Sequence, residues 1–324
     1  MKAIVQYKYG SPDDVLELQD IDKPAVKDDD VLLRVHAAGA HIGDWHIITG
    51  LPYLLRIAGV GLRAPKARVR GMDVAGRVEA VGDGVTRFRP GDDVFGTCSG
   101  AFAEYVAVPE GLLALTPSNL TDEQAATVAI TGTSALQAVR DKGGVTSGQK
   151  VLIIGAAGGV GSFAVQIAKA FGAHVTGVCS TTKVDLVRSI GADEVIDYTR
   201  DDFAETGQRH DLILDTAGNR SLSHLRRALA PRGTLVIVGA EGGGRWFGGI
   251  DRQLRAHMLS PFVSQKLGTF ISKENSEDLV ALKELVEAGK VTPVIDTTYP
   301  LSKVPEAILH LEEGHARGKV AVTV

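Results

Sequence analysis

The stretch from Val151 to Lys183 narrows the possible folds more than any other part of the chain. Val151-Leu-Ile-Ile154 is wholly apolar, the pattern of a strand buried on both faces of a parallel sheet. Gly155-Ala-Ala-Gly-Gly-Val-Gly161 follows at once, and Ala164, Val165, Ile167 and Ala168 then recur at helical spacing up to Gly172. His174–Cys179 reads as a second strand. Strand, glycine turn, helix and strand together form a dinucleotide-binding unit. Its glycines let backbone N–H groups approach a pyrophosphate, and the helix N-terminus adds positive partial charge. Ala156, Gly158, Gly159, Val160 and Gly161 are the candidate contacts. Gly158 and Gly161 fit the second and third glycines of G-x-G-x-x-G, while Ala156 takes the place of the first.

The end of the second strand bears on cofactor choice. An NAD-binding unit carries Asp or Glu about twenty residues on, accepting from the ribose hydroxyls. Here the strand runs into Cys179-Ser-Thr-Thr-Lys183, without an acid. Hydroxyls and a cation donate to a 2′-phosphate that a carboxylate repels, so Ser180 and Lys183 point to NADPH. The plainer alternative is that they cap and solvate the next helix.

The 324 residues leave room for two modest domains, each with a core of its own. The first third is strand-like: Ala3–Val5, Val15–Leu18, Val31–Val35, Val74–Val81, Val94-Phe95 and Phe102–Val108, divided by Gly, Pro and Asp turns. That is the pattern of a small antiparallel barrel. Helical periodicity starts near Asp122 with Thr121 as N-cap. Beyond Lys183, strands at 194–196, 212–214 and 235–238 alternate with helices near 186–190 and 222–229, which predicts a doubly wound parallel sheet. Gly239-Ala-Glu-Gly-Gly-Gly-Arg245 follows a strand end, where such sheets bind ligands. A strand from Leu267, helices at 278–287 and 304–312, and a final strand at 319–324 complete the pattern.

Composition excludes several classes. A net charge of -4 gives nucleic acid and anionic membrane no support as main partners. No apolar run approaches the ~20 residues of a membrane span. Met1-Lys-Ala-Ile-Val5 enters a strand without signal-peptide architecture, so the expected location is cytoplasmic. Cys98 and Cys179 are the only cysteines, too few for a disulfide framework or a Cys-only zinc site.

Five segments, in order, resemble the medium-chain dehydrogenase/reductase superfamily, in its zinc-lacking quinone oxidoreductase branch. They are Gly71-Met-Asp-Val-Ala-Gly-Arg-Val-Glu-Ala-Val-Gly82, Arg89-Pro-Gly-Asp-Asp-Val-Phe-Gly96, Gly100-Ala-Phe-Ala-Glu-Tyr-Val106, the Ala156–Gly161 turn and Gly314-His-Ala-Arg-Gly-Lys-Val320. The resemblance implies a GroES-like β-barrel substrate domain (1–122 and 267–324) around a Rossmann nucleotide-binding domain (123–266). It also implies a nicotinamide facing the cleft between them, and a homodimer. Zinc-dependent relatives carry a catalytic Cys where this chain has His41, and a ligand His where it has Met72; the four-cysteine structural lobe is absent. No metal is therefore expected, although His41, Asp44 and His46 would chelate if all three converged.

The same resemblance implies that His41 polarises a substrate carbonyl or positions the cofactor amide, and that Thr131 lies near the nicotinamide. Trp45, His46 and Tyr53 are further pocket candidates, each equally able to set pocket shape alone. Ser180, Lys183 and Tyr198 match positions around the 2′-phosphate, with Arg200 nearby, and Gly239 matches a strand end beside the ring. Asp215 lines the cofactor cleft or braces a loop; Arg317 and Lys319 reach the cofactor or are surface charge. The function implied is NADPH-dependent hydride transfer to a quinone or α,β-unsaturated carbonyl. The alternatives are a zinc-independent alcohol or ketone oxidoreductase and a non-catalytic NADPH-binding interaction protein.

Overall fold

An apolar run with no polar face has to lie inside a sheet, and Val151–Ile154 is at most 3% exposed. In the computed structural model, which describes residues 1–239 and 244–324, this strand (Lys150–Ile154) is third of six in a parallel sheet. Across the sheet the strands run Glu194–Asp197, His174–Cys179, Lys150–Ile154, His210–Asp215, Leu229–Ile237 and Lys266–Thr269. Numbered along the chain, that order is 3-2-1-4-5-6, the doubly wound Rossmann arrangement with its switch point between the first and fourth strands. Helix Gly159–Ala170 packs its apolar face inward, with Phe163, Ala164, Val165 and Ile167 fully buried. Gly172, at φ +82°, then turns the chain into the second strand.

The chain divides into two compact units: 1–133 with 274–288 and 293–324, and 134–273 with 289–292. The expected boundaries at 122/123 and 266/267 thus move to 133/134 and 273/274. The reason for the second is plain. Lys266–Thr269 pairs in parallel with Leu229–Ile237, so it completes the Rossmann sheet and does not begin the return to the barrel.

The barrel unit is built on one long strand, Asp30–Ala40. Its first half pairs antiparallel with Tyr105–Pro109 and its second half with Lys319–Thr323, while Asp73–Val81 lies along its other edge. Bonded on both edges and packed on both faces, it buries Val31, Leu33, Val35, Ala37, Ala38 and Ala40. Thr121 caps its helix as expected: its hydroxyl accepts from the Gln124 N–H, and the Gln124 side chain accepts from the Thr121 N–H.

Besides short helical turns, two strands and two helices went unforeseen. Strands Leu113–Leu115 and Ile295–Pro300 are short or carry too many polar residues to alternate clearly. Helices Ile42–Thr49 and Ile250–Leu259 follow loop-like sequence that masks their periodicity. The strand expected from Val15 begins at Leu16, because Pro12–Val15 forms one helical turn, and that expected from Phe102 begins at Tyr105. No helix among the described residues is long and apolar enough to cross a membrane.

Candidate active site

In the Rossmann unit the glycine turn has the shape a pyrophosphate needs. Gly161 touches the turn so closely that a Cβ there would lie 2.1 Å from the Gly155 carbonyl oxygen, so only glycine lets helix and strand meet. Gly158 differs: a Cβ there would meet only the Gly155 oxygen, at 3.4 Å. Its missing side chain therefore frees space in front of the helix. Gly158 is also the N-cap without a capping side chain, which leaves first-turn N–H groups for an anion. The residues present fit a dinucleotide.

Ser180, Lys183 and Tyr198 meet at one corner. The Lys183 N–H donates to the Ser180 carbonyl, and the Tyr198 N–H donates to the Cys179 carbonyl at the second strand's end. Two neighbours here escaped the sequence reading. The Arg220 guanidinium lies 5.5 Å from the Tyr198 ring centroid, adding a cation. Asp197 pairs with Cys179 across the sheet, so an acid stands beside the corner after all, supplied by the third strand. Its carboxylate accepts from the Thr181 hydroxyl at 2.6 Å and from the Thr199 hydroxyl at 2.8 Å, and these bonds hold its pKa below the usual range. Arg200 turns toward it, its Nε 3.6 Å from Asp197 Oδ2.

Gly239 lies two residues beyond the last strand residue, Ile237, and its N–H donates to the Asp215 carbonyl. Asp215 is fully buried, accepting from the Gly218 N–H and from Arg252 at 2.5 Å; Arg252 also reaches the Gly239 carbonyl. Asp215 thus braces the loop, the second of the two roles open to it. The rest of the glycine-rich run, Ala240–Gly243, lies outside the described residues.

In the barrel unit, His41 is the N-cap of helix Ile42–Thr49, and its backbone N–H donates to Asp44 Oδ2 at 3.0 Å. Gly43 makes this possible, because a Cβ there would lie 2.7 Å from the imidazole Nδ1. His41 is 8% exposed, and burial, with Lys319 and His46 nearby, drives its pKa well below the ordinary value, so the ring is neutral. The same burial pushes Asp44 up to about 7. His41 Nε2 and Trp45 Nε1 are both buried with no hydrogen-bond partner. His46 is committed to the Leu51 carbonyl at 2.8 Å. Tyr53 lies 4.8 Å from the Arg56 guanidinium, which also caps the helix end through the Thr49 and Gly50 carbonyls.

Asp73 joins these residues to Thr131. Its Oδ1 accepts from the Ile130 N–H at 2.8 Å, and its Oδ2 is 3.5 Å from Lys319 Nζ. Lys319, 2% exposed, also donates to the Ala40 carbonyl next to His41. It is therefore an internal cation and not surface charge, while Arg317 is exposed. Burial outweighs Lys319 and pushes Asp73 up to about 6. The buried Thr131 hydroxyl donates to the Thr127 carbonyl. Among the described residues, no three His, Cys, Asp or Glu side chains are grouped to hold a metal ion.

Residues 27–118 match the alcohol dehydrogenase GroES-like domain family, and residues 190–322 match the zinc-binding dehydrogenase family. The chain is 35% identical to the mouse mitochondrial NAD(P)H oxidoreductase RTN4IP1, over 100% of this chain and 89% of the relative. It is 35% identical to tomato 2-methylene-furan-3-one reductase, over 99% of this chain and 79% of the relative. The solved quinone oxidoreductase of Coxiella burnetii superposes with a TM-score of 0.86 at 27% identity, covering 100% of this chain and 99% of that one. With both family domains present and the likeness extending end to end, the chain belongs to the medium-chain dehydrogenase/reductase superfamily, in its quinone oxidoreductase branch, and is a nicotinamide-dependent oxidoreductase.

Proposed function

We propose that the chain reduces small quinones or α,β-unsaturated carbonyls with NADPH, without zinc. The observation that carries this reading is the buried, neutral His41 imidazole, whose Nε2 makes no hydrogen bond within the protein and lies 3.6 Å from Asp44 Oδ2. With its proton on Nε2, it donates a hydrogen bond to a substrate oxygen. Met72 offers a thioether where zinc-dependent relatives offer an imidazole, and Asp73 is already tied to Ile130 and Lys319. A neutral donor suits a conjugated acceptor, which spreads incoming charge over its own π-system. NADPH held at the glycine turn would supply a hydride to the β-carbon of an enone. The double-bond electrons move toward the oxygen held by His41, and a proton from water completes the saturated ketone. Relatives named for 2-methylene-furan-3-one and for quinone reduction support this acceptor class.

NADPH is favoured over NADH by the corner of Ser180, Lys183 and Tyr198, to which Arg220 adds a cation. Charge-assisted hydrogen bonds contribute roughly 1.5–3 kcal/mol, so Lys183→Ala is expected to weaken NADPH about ten- to a hundredfold and NADH little. We further propose a cytoplasmic homodimer.

The deciding experiment follows oxidation of NADPH and NADH across quinones, enones, aldehydes and saturated ketones, before and after metal chelation. Quinone or enone turnover that survives chelation is expected. Turnover of saturated ketones alone would favour the alcohol/ketone reading, and tight NADPH binding without any turnover would favour a binding protein. Equal loss of both cofactors in Lys183→Ala would remove the 2′-phosphate assignment.

A further inference from the structure

A second feature of the barrel unit carries information about the acceptor itself. A cavity of about 190 Å³ opens beside helix Ile42–Thr49. Ile47, Val60, Val69 and Met72 give it apolar walls, while Arg70 and Lys66 supply two cations. Lys66 is exposed, but Arg70 is only 6% exposed, and its Nε and Nη2 have no hydrogen-bond partner.

A buried guanidinium with two unused donors is costly unless an acceptor arrives, since desolvation of a charged group is not returned by packing. The backbone fixes the residue in place: its N–H donates to the Ile4 carbonyl, and its carbonyl accepts from the Phe102 N–H. Arg70 therefore cannot leave the cavity wall without breaking main-chain pairing. Its planar fork matches the two oxygens of a carboxylate. Asp44, the one acid among the described lining residues, acts on the Arg70 charge, but burial raises its pKa to about 7, so below neutral pH it is mostly protonated and offers an anion little opposition. A volume near 190 Å³ admits a carboxylate with a short carbon chain and is small for a nucleotide or a lipid.

We propose that this cavity binds a carboxylate carried by the acceptor, so that the preferred substrates are small enone or quinone acids. The inference rests on the acceptor class proposed above, and it assigns Arg70 as the residue that selects the acid.

The test compares 4-oxopent-2-enoate with its methyl ester, in which methylation removes the charge, on wild type, Arg70→Met and Arg70→Lys with NADPH; the ratio between variants cancels the two enones' different intrinsic reactivity. Wild type is expected to favour the acid by at least tenfold in kcat/KM. Arg70→Met should lose about ten- to a hundredfold on the acid while the ester changes little, and Arg70→Lys should fall between. An unchanged acid-to-ester ratio in Arg70→Met, or a wild-type preference for the ester, overturns the proposal. If Arg70→Met does not fold, the wild-type ratio and Arg70→Lys decide in the same way.

Binding of 4-oxopentanoate, which has no conjugated double bond, separates this inference from the reaction on which it rests. Should wild type reduce neither enone yet bind 4-oxopentanoate through Arg70, the acceptor class fails and the carboxylate site stands. No binding of 4-oxopentanoate to wild type overturns the site itself.

Discussion

Lys319→Met is expected to cost roughly 3–5 kcal/mol of folding stability near pH 8, the usual penalty for removing one partner of a buried ion pair. Lys319 is 2% exposed and Asp73 is fully buried, so the carboxylate left behind would have no solvent to turn to. The Ile130 N–H would still reach Oδ1, but Oδ2 would face the interior alone. The penalty has a pH signature. Asp73 already titrates near 6, above the ordinary carboxyl, and losing Lys319 raises it further. At pH 5 the carboxyl is neutral with or without the lysine, so the cost of the substitution should shrink there. Asp73→Asn combined with Lys319→Met should recover most of the loss at pH 8. Urea unfolding of the three proteins at both pH values checks this. A Lys319→Met chain within about 1 kcal/mol of wild type at pH 8 would show that the pair does not hold the barrel unit together.

Asp44→Asn is expected to stabilise the protein above neutral pH and to leave it nearly unchanged near pH 4. The sign follows from proton counting. In the unfolded chain Asp44 ionises near pH 3.9, whereas in the folded barrel it keeps its proton until about 7. Between those values the native state holds the extra proton, so its stability falls as pH rises, by up to about 1.4 kcal/mol per pH unit. His41 works in the opposite direction: its depressed pKa removes stability as pH drops below about 6.5. The wild-type profile is therefore blunted, and the difference between variant and wild type isolates Asp44. Asparagine keeps an oxygen for the His41 N–H, so the cap survives. A difference that stays flat from pH 4 to 8 would mean that Asp44 is ionised throughout.

How much of this was readable beforehand depended on whether the signal was local. The glycine turn and its helix were legible because strand, turn and helix are contiguous and each glycine has its own steric reason. The end of the chain returning to the barrel as a strand was legible from the alternation in Lys319–Val324. Lys319 itself was ambiguous, since a cation near a terminus looks like surface charge until Asp73 is brought beside it from 246 positions upstream in the numbering. Asp197 and Arg220 were invisible for the same reason: strand pairing sets Asp197 beside Cys179, and a ring contact sets Arg220 over Tyr198. Arg70 offered no pattern at all. Its burial, and the lack of partners for its guanidinium, exist only once the chain is folded.

The long barrel strand also sets a timetable for synthesis. Ala40 meets its Lys319 partner across 279 residues, so Asp30–Ala40 emerges from a ribosome long before one of its edges is filled. At 5–20 residues per second that edge stays open for roughly 15–60 s. Every strand of the parallel sheet lies between 150 and 269, so the nucleotide-binding unit has its full complement while the barrel still waits. Nascent chains arrested before Val304 should therefore show a protease-resistant core spanning 134–273 and a sensitive N-terminal third. Equal resistance in both regions would contradict that order. The waiting edge, Ala37-Ala-Gly-Ala40, is small, apolar and uncharged, which makes it the place where a holdase chaperone has most to protect.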